Sequence, residues 1–440
     1  MPLTFTFRKH TMIHLLARIK KLATDQPLSM NYALDGILVA GALSIVANNN
    51  NLFAQRLGAS AFHLSMLQFL PAILTFFLLI PAGLMADSLK NKRRMMTLVL
   101  LLAGGFFGVV SLSPFVPGHN VYFMLVFLAL ALVSANGMYN LAWQAFFPEV
   151  VVEESRNKVL TFRARLVMVV SLVAPLSVGT ILTAIPSTEG KIRAHQGFYV
   201  LAAVMLLANV FHIKKLRAVM AATPKKVSLA ELKTAGKRLV KNKPFILFTG
   251  AILFFHMAWH VDWTLYFIGQ ANYLQMNELL LSLTPVSGMV AQLITLKFWS
   301  KRNTRRGVDS SMTYGIFGLA LNPIAIIVGT ALPHPFGIVA FLTLHFIAMF
   351  TFANITLTLF QCLLRVVDEE YRSFSISIYT CLITLSNGVM PVLGVSLYHS
   401  LGANARGLRL AFAIIFVMRI LAGIIWILRM KSTKAMSISA

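Results

Sequence analysis

About twelve apolar runs of roughly 20 residues follow one another along this chain, and that succession constrains the fold more than any other feature. A run of that length wound as an α-helix crosses roughly 30 Å, the thickness of bilayer hydrocarbon. Lipid offers the backbone no hydrogen-bond partner, so each run must satisfy its own N–H and C=O groups as a helix. With 58% hydrophobic and 12% charged residues, the chain falls far below the charged quarter typical of a water-soluble domain. The expected fold class is all-α: a polytopic membrane protein with 12 transmembrane helices.

The net charge of +25 does not point to nucleic acid, because the cations are not gathered in one stretch. About 33 of the 39 Lys and Arg fall in the N-terminal segment, the even-numbered connections and the tail, and only about five in the odd-numbered connections. By the positive-inside rule both termini are cytoplasmic, and the excess is an orientation signal facing anionic membrane lipids. The expected location is the plasma membrane, multi-pass. Cys362 and Cys381 fall in or beside spans and are expected to pack as small apolar groups. No cleavable leader pattern is visible, so the first spanning helix is expected to direct insertion.

The runs are written as one unit repeated. Glu153-Glu154-Ser155-Arg156 precedes Pro175 by the same interval at which Glu369-Glu370-Tyr371-Arg372 precedes Pro391, and the chain has no other Glu-Glu pair. Gly83 to Asp87 leads into Lys92, Arg93 and Arg94 as Phe298 to Arg302 leads into Arg305 and Arg306, at nearly the same offset. Two pseudo-symmetric six-helix bundles follow from this duplication. Residues 1–28 read as a cytoplasmic amphipathic segment, with Met12, Leu15, Leu16, Ile19 and Leu22 at helical spacing. Residues 29–213 form the first bundle, 214–243 a basic cytoplasmic linker, 244–430 the second bundle and 431–440 a cytoplasmic tail. Within the linker, Ser228 to Glu231 is a capping box that opens a short helix. Pro175, Pro285, Pro323 and Pro391 fall inside spans, where the missing donor bends a helix.

Gly83-x-x-x-Asp87 followed by Lys92 and Arg93 resembles the signature loop of the major facilitator superfamily, and the weaker echo at Lys301, Arg305 and Arg306 sits where that family repeats it. Ser88 and Lys90 stand where the family usually has Arg and Gly, and Lys301 where the second copy would have Asp. The helix-4 arginine and the Gly-rich helix-5 stretch of the family's proton-linked drug exporters are absent or partial, since Val133 precedes Gly137 and only Pro175 and Gly179 remain of the second motif. The resemblance implies a cytoplasmic gate built from Gly83, Asp87, Lys92, Arg93, Glu153, Glu154, Arg156, Lys301, Arg305, Arg306, Glu369, Glu370 and Arg372. Physically, Asp87 can accept hydrogen bonds from a neighbouring helix N-terminus and pair with nearby cations.

Polar groups at membrane depth are the candidates for solute contact. Asn136, Asn140 and Gln144 form an amide row in helix 4, and Asn354, Thr358 and Gln361 a similar row in helix 10. Each row can line a central cavity or bond helix to helix, and its presence in both copies favours the cavity. Helix 7 carries His256, Trp259, His260, Asp262, Trp263 and Tyr266. The histidines share a face while Asp262 points elsewhere, so no metal site is expected. Asn48 to Asn51 in helix 1, Asn48 and Asn50 among them, are placed to face His260 and Asp262 across the twofold. Asp35, Asp262 and His256 are candidates for proton coupling. Arg419 in helix 12 must snorkel or pair with a group such as Asp262, and His345 reads as packed.

The function expected is secondary active transport of a small solute by alternating access, with export of amphipathic organic compounds ahead. Proton-coupled nutrient uptake, or a non-transporting sensor or scaffold on the same frame, are the alternatives. No enzyme constellation, ATP-binding loop or cofactor site is visible in the sequence, and a monomer is expected. The expected partners are the small-molecule solute, protons or another coupling ion, and lipid.

Overall fold

The computed structural model describes residues 27–88, 92–151, 153–216, 229–367 and 372–439. Among them there is no strand, and twelve helices are long and apolar enough to cross a membrane. The first six spans are α1 (Met30–Arg56), α2 (Ala61–Leu78), α3 (Lys92–Val110), α4 (Asn120–Gln144), α5 (Lys158–Ala184) and α6 (Thr188–Lys215). The second six are α7 (Lys243–Tyr273), α8 (Glu278–Arg306), α9 (Val308–Ala331), α10 (Phe336–Leu364), α11 (Phe374–Ser400) and α12 (Ala405–Thr433). The chain is therefore a multi-pass membrane protein.

Packing repeats with the sequence. In the first bundle α1 packs on α5 and α6, α3 on α4 and α6, and α2 on α4. In the second, α7 packs on α11 and α12, α9 on α10 and α12, and α8 on α10, each pair six helices on from its counterpart. The bundles meet along two seams, α2 with α11 and α5 with α8, which the same symmetry exchanges. Glycine lets both seams close. A Cβ on Gly179 would lie 2.6 Å from Ser282 Oγ and 2.8 Å from the Glu278 carbonyl, and one on Gly388 would lie 2.7 Å from Ala72 Cβ. Small residues admit such close approach between membrane helices.

Helix starts carry their expected caps. Ser187, Asn242 and Asn277 accept from the backbone N–H groups of Gly190, Phe245 and Leu280, satisfying orphan donors of α6, α7 and α8. Pro175, Pro285 and Pro391 lie inside helices, and so do Pro71 and Pro81 in the helix Ala61–Ser88 that carries α2. Pro323 differs: α9 breaks at Ala320 and restarts at Leu321, which puts Pro323 in a first turn where no donor is needed. The run of asparagines interrupts α1 with a 3₁₀ turn over Ala47–Asn49. Asn favours local bonds over helix, and here Asn49 Nδ2 donates to the Ile45 carbonyl at 3.3 Å.

Two further irregularities were invisible in the periodicity. A π-helical turn over Val133–Met138 rotates the lower part of α4, and another over Gly269–Tyr273 ends α7. Asp262 sits at a break between Lys243–His260 and Trp263–Ile268. The linker helix Leu229–Lys241 starts where the capping box predicts and packs on α7 and α11, while Ser228 and the N-terminal segment up to residue 26 lie outside the described residues.

Candidate functional site

In the first bundle a carboxylate is buried behind a cation. Asp35 on α1 has no exposed surface. It accepts from Tyr139 Oη on α4 at 2.7 and 2.9 Å and from Asn209 Nδ2 on α6 at 2.8 Å. Arg163 on α5 reaches the same carboxylate only at 3.5 Å and the Tyr139 hydroxyl at 3.3 Å. Its guanidinium lies 4.5 Å from the centre of the Trp143 ring. The sequence suggests Asp35 as a carboxylate near a helix start and leaves Arg163 beside the gate turn; the fold joins them.

Beside this cluster, Asn136, Asn140 and Gln144 are all exposed. Gly137 packs toward Thr75 of α2 on one side of the row, and Trp143 packs under Arg163 of α5 on the other. The row thus lies between the two helices of this bundle that meet the second bundle, and the π turn sets its direction. The row on α10 is turned differently. Asn354 and Thr358 are fully buried; Asn354 Nδ2 donates to the Ser311 carbonyl of α9, and Thr358 Oγ1 donates to the Asn354 carbonyl at 2.7 Å. Asn354 thus ties α10 to α9, and Thr358 Oγ1 also meets Met312 Sδ of α9 at 3.2 Å, because an amide packed against apolar neighbours needs a partner. Gln361, the third of the row, is exposed and donates to the Leu357 carbonyl of its own helix.

In the second bundle, His256 donates Nδ1–H to the Ile252 carbonyl at 2.9 Å, and His260 Nδ1 meets Ser386 Oγ of α11 at 3.2 Å. Their rings, 5.3 Å apart, continue an aromatic column with Phe255, Trp259, Trp263 and Phe352. Asp262 turns away to Arg419 of α12, Oδ2 to Nη2 at 2.5 Å. That arginine also donates to the carbonyls of Ala258, Leu319 and Trp259 at 3.1, 2.8 and 3.4 Å. His345, Asn322 and Tyr266 form a separate buried trio at 3.2 to 3.4 Å.

Asn50, expected across the twofold from Asp262, instead accepts from Tyr199 Oη of α6 at 2.5 Å. Each group has found its partner inside its own bundle, so the two do not meet. The side chain of Asn48 is not among those described.

The strongest polar contact between bundles lies at the end remote from the basic connections. Glu278, at the start of α8, accepts from Arg56 of α1, from Lys191 Nζ of α6 at 2.5 Å and from Thr183 Oγ1 of α5 at 3.4 Å. His195 Nε2 accepts from Arg56 Nη1 at 2.5 Å, and Gln55 Nε2 donates to Asn272 Oδ1 of α7 at 2.9 Å. None of these stands out in the sequence, although Arg56 and Lys191 belong to the few cations of the odd-numbered connections and Glu278 to the few acids. Toward the opposite end, the face of α5 that carries Gly179 continues as Thr161, Arg165 and Met168, all exposed. The matching face of α8 continues as Leu293, Leu296 and Ser300, also exposed. Among the described residues, polar contacts join the bundles at one end, and α5 and α8 are uncovered at the other.

Of the gate residues, Gly83 and Asp87 lie on the helix Ala61–Ser88, and the side chain of Asp87 is outside those described. The same holds for the side chains of Glu153 and Glu154, which open the helix Glu153–Ala184, and of Arg372, which opens Arg372–Ser400. Glu369 and Glu370 lie wholly outside. Lys92 begins α3, and Arg93 Nη1 donates to the carbonyls of Lys214 and Leu216, a cation capping the end of α6. Arg156 Nε donates to the Val151 carbonyl at 3.2 Å. Lys301, Arg305 and Arg306 are exposed near the end of α8. At this end Asp309, which sequence reading passed over, accepts from Arg365 at 3.2 Å and Arg429 at 2.5 Å.

A family model described as Major Facilitator Superfamily matches residues 32–363. Among solved structures, a mutant form of the nucleoside transporter NupG superposes with a TM-score of 0.71 at 10% identity, over 91% of this chain and 99% of that one. A bacterial homologue of the iron transporter ferroportin in its inward-facing state gives 0.71 at 14% identity, over 91% and 98%. A D-xylose–proton symporter gives 0.65 at 16% identity, over 91% and 96%. At such identities the likeness is one of fold. No curated protein matches the sequence.

Proposed function

The chain belongs to the Major Facilitator Superfamily, and from that premise we propose that it is a secondary active transporter moving a small organic solute by alternating access. Residues 29–213 and 244–430 are the two rocking units, and 214–243 tethers them. The observation that carries this reading is the asymmetry of the seam among the described residues: Arg56, Lys191 and Glu278 join the units at one end, while α5 and α8 are uncovered at the other. With the basic connections in the cytoplasm, as the positive-inside rule requires, this is a state closed outside and accessible from inside.

The solute site lies between the bundles. Asn136, Asn140 and Gln144 supply hydrogen bonds from α4, and the half-buried Trp259 and Trp263, backed by the buried His256 and His260, supply aromatic surface from α7. Such a lining suits amphipathic organic compounds, and export of these is the direction we favour. Asp35, Asp262 and His256 are the groups within the spans able to exchange a proton during the cycle.

The test locks the closed end. Gln55→Cys with Asn272→Cys puts thiols on two residues whose native side chains bond between the bundles, α1 to α7, at the closed end. In proteoliposomes screened for solute uptake with and without a pH gradient, oxidation of this pair stops flux and reduction restores it. Full flux through the oxidised protein would refute alternating access about this seam.

A further inference from the structure

We propose that Arg163 anchors an anionic group of the transported solute, so that the solute is an organic anion whose apolar or aromatic body lies along Trp143. The proposal rests on the transporter reading above and deepens it by naming the chemical class of the solute.

The argument begins with how differently two arginines inside the spans are satisfied. Arg419 is sealed: Nε, Nη1 and Nη2 all donate, to three carbonyls and to Asp262, and 1% of its side chain is exposed. Arg163 keeps 20% of its side-chain surface. Its hydrogen bonds run from Nη2, to Asp35 Oδ2 at 3.5 Å and to Tyr139 Oη at 3.3 Å; Nε is buried against Gly36 without a partner, and Nη1 donates to none of the described residues. An arginine held for structure alone takes short, paired bonds to its carboxylate. Here the short bonds to Asp35 come from Tyr139 and Asn209 instead, so the carboxylate is already satisfied and the guanidinium fork remains largely unused.

Position decides which charge a solute meets. Asn209 approaches Asp35 from α6, which packs on α1 and α3 within the first bundle. Arg163 approaches from α5, which forms the seam with the second bundle. The guanidinium therefore stands between the buried carboxylate and the space between bundles, and that space meets a cation. Gly36 makes the crossing possible, since a Cβ there would lie 2.7 Å from Arg163 Nε. The indole of Trp143 lies beside the guanidinium, its ring centre 4.5 Å from Arg163 Cζ, and offers apolar surface there. A planar fork with free donors beside an aromatic face matches a carboxylate or phosphate carried on an apolar body.

The experiment uses the full chain in phosphatidylcholine nanodiscs, titrated with 1-naphthoate, 1-naphthamide and 1-naphthylmethylammonium, probes of similar shape that differ in charge, with binding read from the shift in melting temperature. Wild type is expected to bind naphthoate about tenfold or more tighter than the amide, and the ammonium least. R163Q is expected to abolish this order. R163K, which keeps the charge but loses the fork, weakens naphthoate several-fold and leaves the amide unchanged; it carries the test should R163Q fail to fold. A wild type without preference for the anion overturns the proposal, as does a preference that R163Q or R163K leaves intact. Phosphatidylglycerol in the disc separates a lipid headgroup from a solute: if it displaces naphthoate, the site belongs to lipid and the proposal falls. Naphthoate counterflow in vesicles separates the two readings. Charge-selective binding without flux removes the transporter and keeps the anion site, whereas flux with charge-blind binding does the reverse.

Discussion

Asp262 Oδ2 and Arg419 Nη2 stand 2.5 Å apart, on helices 157 residues distant in sequence, with 3% and 1% of their side chains exposed. The carboxylate sits at the break in α7, and the cation comes from the middle of α12. The pair cancels two charges that neither helix could carry alone in the apolar interior.

Removing one partner leaves the other charge buried and alone. Asp262→Asn is expected to destabilise the protein by about 3–5 kcal/mol, seen as a lower thermal midpoint. The double variant D262N with R419M, which removes both charges, should recover more than half of that loss. A double variant no more stable than D262N would show that the two charges are not coupled.

Glu278 holds the remote end shut through Arg56 and Lys191. Glu278→Gln keeps the shape but removes the charge, which weakens the latch by about 1–2 kcal/mol and shifts the two-state balance roughly 5- to 30-fold. Disulfide yield of the Gln55→Cys, Asn272→Cys pair should fall accordingly in the E278Q background. An unchanged yield would mean that the seam closes without the ion pairs.

Gly179→Ala puts a methyl where Ser282 and the Glu278 carbonyl already lie. The seam cannot then close fully, so transport should drop about tenfold or more, the consequence of roughly 1.4 kcal/mol against the closed state. Gly105→Ala, with nothing within 4 Å of the added carbon, is the control and should leave flux unaltered. Equal effects of the two substitutions would show that loss of helix flexibility, not crowding, is being measured.

The two amide rows separate by stability and flux. Asn354→Leu removes a buried bond from α10 to the Ser311 carbonyl, which keeps its helical partner, and should cost about 0.5–1.5 kcal/mol. Asn140→Leu, at an exposed position without a bond to protect, should leave the thermal midpoint nearly unchanged and alter solute flux instead. Loss of stability at Asn140 with none at Asn354 would reverse the assignment.

The apolar runs, the alternate placement of cations and the paired Glu-Glu turns were enough to read twelve spans in two related bundles, because the bilayer leaves a chain of this composition no other way to satisfy its backbone. That Arg419 must either snorkel or pair with a group such as Asp262 was legible, since one lone cation in a span is costly, and the fold shows the pair. What the sequence could not say is which polar groups meet. Asp35 and Arg163 are separated by 128 positions, and Arg56 and Glu278 by 222. Helical periodicity predicts one face for Asn136, Asn140 and Gln144, yet only packing shows that this face lies between α2 and α5 while Asn354 and Thr358 of the matching row on α10 are buried against α9. The reason is physical: helix formation in lipid is settled within each segment by its own hydrogen bonds, whereas the partner of a buried charge is settled by which helices lie side by side.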